Sequence, residues 1–86
     1  MKQMERIKEM EAAMDRLSHA IQTGQIITPS LQNDYKNLSH YYETQWLRDY
    51  EADERGELPS DLKRGILSED ALYDLLSEID ERMEQD

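Results

Sequence analysis

The chain has no cysteine and no phenylalanine, only three glycines and two prolines, and half as many basic side chains (10) as acidic ones (20) in its 86 residues. Without cysteine there is no disulfide framework, no thiolate zinc site and no cysteine nucleophile. No apolar run approaches the roughly 18 consecutive residues of a membrane span. The opening MKQMERIKEMEAAMDR is charged at every turn, lacking both the apolar core of a secretory signal and the acid-poor bias of a transit peptide. A cytoplasmic protein is therefore expected. The shortage of bases leaves a formal charge of −10, a field that repels phosphate backbones and anionic lipid and argues against direct nucleic-acid or membrane binding. Nine of those ten surplus negative charges follow residue 50.

What is present is helical periodicity. Ile7, Met10, Met14, Leu17 and Ile21 recur at spacings of 3 and 4, one side of a helix. Gly24 offers a left-handed stop, and the first helix is predicted over 2–23. Thr28 and Pro29 supply an N-cap hydroxyl and a first-turn residue whose missing N–H is harmless there. From that start a second helix over 29–55 places Leu31, Tyr35, Leu38 and Tyr42 on one stripe. Trp46, Leu47 and Tyr50 then drift around the axis, so either the helix wraps against two neighbours or it bends near 43–45. Residues 56–67, GELPSDLKRGIL, read as a packed connector with one helical turn from Ser60 to Arg64. Ser68 starts a third helix over 68–84, with Leu67 and Leu72 placed as a hydrophobic staple and Leu72, Leu75, Leu76, Ile79 and Met83 buried. The expectation is one all-α domain over 1–86, a bundle of three principal helices with a frayed tail at 84–86. Its core is small, and a homodimer through the methionine-bearing seam of the first helix would bury more area.

No constellation for catalysis, cofactor or metal emerges. Asp49, Glu51 and Asp53 resemble the start of a calcium loop, but counted from Asp49 the sixth position is Glu54 rather than glycine and the twelfth is Ser60 rather than glutamate. His19 and His40 lie on different predicted helices without paired-ligand spacing. None of the serines sits in a nucleophile elbow, and there is no glycine-rich phosphate loop. For the aromatic cluster Tyr41, Tyr42, Trp46 and Tyr50 two readings stand: the plainer is that Tyr42 and Trp46 complete the core, the sharper that Tyr41, Leu47 or Tyr50, on other faces, form a partner site. Lys63 and Arg64, among acids, are expected to pair with Asp61, Glu69 or Asp70.

The run YYETQWLRDYEADERGELPSDLKRGILSEDALYDLL, residues 41–76, resembles a family of short, mainly Firmicute bacterial proteins known as a domain of unknown function, whose members share a YY, W, DYEADE, G-LP, DLKRG-LSED and DLL pattern. The pattern falls here on Tyr41, Tyr42, Trp46, on Asp49 to Glu54, on Gly56, Leu58 and Pro59, on Asp61 to Gly65, on Leu67 to Asp70, and on Tyr73, Leu75 and Leu76. Family members often carry one more residue between the tyrosine pair and the tryptophan. Tolerance of that deletion, worth about 100° of helix rotation, implies a break there. The resemblance implies a small bacterial cytosolic protein and supplies no catalytic or ligand residue.

These observations lead to a non-enzymatic protein–protein interaction module with an unidentified protein partner. Trp46, Asp49, Tyr50, Asp53, Lys63, Arg64 and Asp70 are the candidate residues, forming either a buried polar junction or a partner surface. The alternative function is an acidic nucleic-acid mimic that inhibits a DNA- or RNA-handling enzyme.

Overall fold

The computed structural model describes residues 2–84. Its elements are α1 (Gln3–Gln22), α2 (Pro29–Thr44), α3 (Trp46–Glu54), a 3-10 turn (Gly65–Leu67) and α4 (Glu69–Glu84). The described residues contain no strand. The fold is a small all-helical bundle in which α1 packs on α2, α4 and the 3-10 turn. Apart from Glu84, the last residue of α4, the frayed tail expected at 84–86 lies outside the described residues.

The helix ends follow from their local chemistry. Thr28 Oγ1 accepts the backbone N–H of Leu31 at 3.2 Å, with Pro29 in the first turn. Gly24 and Gly56 close α1 and α3 by the same device. Each adopts a positive φ (68° and 71°). Gln25 N–H returns to Ala20 O, and Glu57 N–H to Ala52 O, the long hydrogen bond of a Schellman cap. A side chain at that φ clashes with its own backbone. Gly56→Ala is therefore expected to cost about 1 kcal/mol and to lower the thermal midpoint by roughly 4–8 °C, read by circular dichroism.

Two expectations about the middle of the chain need correction. The second predicted helix is two helices, α2 and α3, separated at Gln45, whose φ of −127° departs from helical geometry. The break falls within the 43–45 segment and rephases the chain, so that Trp46, Asp49 and Ala52 turn inward together. The helical turn expected at Ser60–Arg64 forms instead at Gly65–Leu67. Residues 59–62 make a single hydrogen-bonded turn, Leu62 N–H to Pro59 O, and no helix.

The core holds Ile7, Leu17, Leu38, Ile66, Leu72 and Ile79 with no exposed area. Ala13, Ala20 and Ala52 are also buried, small residues that let backbones approach. The buried column of α2 is Asp34, Leu38 and Tyr41, so Tyr41 rather than Tyr42 enters the interior, and Tyr42 is half-buried on the flank. The seam of α1 is spent inside the domain: Ile7 and Leu17 are buried, and Met10, Met14 and Ile21 pack half-buried against the same core. A homodimer through that seam would have to use the area that Met10, Met14 and Ile21 leave exposed.

Candidate functional site

The interior contains a polar junction centred on Asp49. Its carboxylate is fully buried and accepts four hydrogen bonds, two on each oxygen: Gln3 Nε2 at 2.9 Å and Arg6 Nη2 at 2.6 Å on Oδ1, Arg6 Nε at 3.1 Å and Tyr41 Oη at 2.7 Å on Oδ2. Donors from α1 and α2 thus converge on one acceptor of α3. Burial alone would raise the Asp49 pKa, but the hydrogen bonds from Arg6, Gln3 and Tyr41 and the Arg6 charge outweigh it and hold the carboxyl below its ordinary value. Burial first, then the bond to Asp49, pushes the Tyr41 hydroxyl far above its usual range. Because the folded Asp49 pKa is depressed, its contribution to stability is complete above the unfolded value of about 4 and is lost as pH falls through the folded value. Denaturant midpoints at successive pH values should therefore fall below pH 4, and Asp49→Asn should flatten that fall.

A second junction fixes the connector. Trp46 Nε1 donates to Ile66 O at 2.9 Å, and Ile66 N–H donates to Glu11 Oε2 at 2.6 Å. Gly65 lies so close to this contact that a Cβ there would meet Glu11 Oε1 at 2.8 Å. Arg64 Nε pairs with Asp53 at 2.6 Å, while its two terminal nitrogens donate to the carbonyls of Pro59 and Leu62 at 2.7 and 2.9 Å. The expected pairing of Arg64 with Asp61, Glu69 or Asp70 is thus replaced by Asp53, which the end of α3 holds above the connector. Tyr50 stacks on Trp46 with centroids 4.9 Å apart, and Tyr42 approaches the same indole at 5.6 Å.

Of the seven candidates, Trp46, Asp49, Tyr50, Asp53 and Arg64 are turned toward these two junctions. Lys63 and Asp70 are exposed and join neither. Lys63 lines a cleft of about 400 Å³ between α1 and the connector, and Asp70 lies in the first turn of α4, where a carboxylate complements the helix dipole. Tyr41, a candidate for a partner face, is 2% exposed because its hydroxyl is a donor to Asp49. Leu47 is 59% exposed. Sequence reasoning missed Gln3, Arg6 and Glu11, and also the bidentate Arg16–Asp34 pair at 2.8 and 2.9 Å. One usable signal was an acid on a buried column: Asp34, Leu38 and Tyr41 recur at spacings of 4 and 3, and an acid in such a column needs a base.

The outward face is different in kind. Tyr35, Tyr42 and Tyr73 converge with Leu76, Ser77 and Asp80 on a groove of about 230 Å³ between α2 and α4. Tyr73 is 58% exposed, and Tyr35 Oη sits 3.5 Å from Asp80 Oδ1. Burial, then Asp80, Glu43 and Glu84, raise the Tyr35 pKa. Among the described residues no group of His, Asp and Glu side chains is placed to hold a metal ion, and no helix is long and apolar enough to cross a membrane.

A family model described as a domain of unknown function (DUF4298) matches residues 1–85. The chain belongs to this family. No curated protein and no solved structure matches it. The DUF4298 match takes in α1 as well as the 41–76 pattern, in keeping with a fold in which α1 supplies Gln3, Arg6 and Glu11 to both junctions.

Proposed function

We propose that this DUF4298 domain is a non-enzymatic protein–protein interaction module of the cytoplasm. The observation that carries the reading is the tyrosine groove between α2 and α4, an aromatic surface left open to solvent on a domain this small. The ionisable groups of the DYEADE segment give it indirect support. Asp49 has all its strong acceptor sites occupied and Asp53 is paired with Arg64, so neither is free to act as a general base.

A second reading, the nucleic-acid mimic, is favoured by α4, where Glu69, Asp70, Asp74, Glu78, Asp80, Glu81 and Glu84 are all exposed. Affinity capture from lysate of the producing cell, at low and at high salt, with mass spectrometry of what is retained, separates the two. A mimic engages many charges and releases its enzyme steeply as salt rises, whereas an aromatic-anchored contact is retained. A protein kept at high salt by the wild type is the expected result. A nucleic-acid enzyme recovered only at low salt would put the mimic first, and an empty column at both would overturn the module.

A further inference from the structure

We propose that the groove between α2 and α4 docks an arginine-bearing segment of a partner protein, its guanidinium laid against Tyr35 and Tyr73 and paired with Asp80. The inference rests on the module reading and names its ligand. At about 230 Å³ the groove is smaller than the roughly 300–1,000 Å³ of small-molecule sites and suits one long side chain. Three of its six lining residues are tyrosines, and the negative quadrupole of an aromatic face attracts cations. Asp80 lies against Tyr35 Oη at 3.5 Å, and the charges of Glu43 and Glu84 act on the same phenol more weakly. Among the described residues, none of these three has a basic side chain within ion-pair distance. The Asp34, Asp49 and Asp53 carboxylates, by contrast, each have an arginine from their own chain. The groove thus sets tyrosines beside Asp80, a carboxylate that no described basic side chain pairs with. Arginine fits better than lysine because a planar guanidinium can stack on a ring and bond a carboxylate in the same pose.

The test is titration of the full chain, at physiological ionic strength, with a short peptide whose only charges are two arginines and with its citrulline counterpart, which keeps the shape and loses the charge. NMR follows the tyrosine ring signals and calorimetry gives affinity. Binding of the arginine peptide alone is expected, with shifts at Tyr35, Tyr42 and Tyr73. Tyr73→Ala and Asp80→Asn, both at exposed positions, should each weaken it about threefold to tenfold. Asp74→Asn, which removes the same charge about 100° around α4 from Tyr73, should change it less than twofold. Equal loss with Asp74→Asn and Asp80→Asn, and none with Tyr73→Ala, would overturn the site in favour of diffuse attraction. Failure of the peptide together with concentration-dependent tyrosine shifts in the protein alone would make a second copy the occupant, overturning the arginine ligand while the module stands. Arginine binding alongside an empty lysate column would sink the module and keep the groove.

Discussion

Arg6→Ala is expected to destabilise the domain by about 3–5 kcal/mol, because it leaves the buried Asp49 carboxylate without its cation. A chain of 86 residues commands on the order of 4–13 kcal/mol in all. At the lower end of that range a large part of the molecules is unfolded at 37 °C, visible as lost helical ellipticity. The pH response separates this cause from a generic loss of packing. With Arg6 gone, burial, the largest influence on Asp49, is opposed only by Gln3 and Tyr41, and the folded pKa moves above the unfolded one. Stability linked to Asp49 is then present below about pH 4 and lost as pH rises through the raised value. On acidification from pH 7, the variant should gain on the wild type in urea midpoint. If the gap between the two stays constant across that range, the Arg6–Asp49 bond does not set the acid response.

Trp46→Ala should be as damaging by a different route. The indole is 6% exposed, and removing a buried tryptophan costs about 3–5 kcal/mol. The substitution also deprives Ile66 O of its donor and Tyr50 of the ring it stacks on. Trp46→Phe keeps a ring and deletes the N–H, so it should cost about 1–3 kcal/mol, the penalty of an orphaned buried carbonyl. Thermal denaturation by circular dichroism reads both. A Trp46→Ala protein that melts like the wild type would show that the aromatic cluster is not structural and would return the 41–50 segment to the role of a partner surface.

The periodic parts of this fold were legible in the sequence because a stripe at spacings of 3 and 4 depends only on helix geometry: Ile7, Leu17, Leu38, Leu72 and Ile79 all reach the core. The Thr28–Pro29 start and the Gly24 stop were legible for the same local reason. Tyr41 was not. Its neighbour Tyr42 continues the apolar stripe, and only an acceptor eight residues on, reached across the Gln45 break, draws Tyr41 inward. Arg6 and Glu11 were invisible because their partners, Asp49 and Ile66, lie 43 and 55 residues away, distances at which no spacing rule operates. The groove was hidden likewise: Tyr73 stands on a different helix from Tyr35 and Tyr42, and only tertiary packing brings the three together.

The two junctions also bear on how the domain comes into being at the ribosome. Synthesis runs from the N-terminus at about 5–20 residues per second, so α1 and α2 are complete while the acceptor for Gln3, Arg6 and Tyr41 is still inside the exit tunnel. Glu11 waits longer, until Ile66 has emerged. A nascent chain ending after α2 therefore carries an arginine and a phenol that the finished interior reserves for Asp49, together with the faces of α1 and α2 that α4 has yet to cover. Neither junction can form until α3 and the 3-10 turn have emerged, so both close late in synthesis.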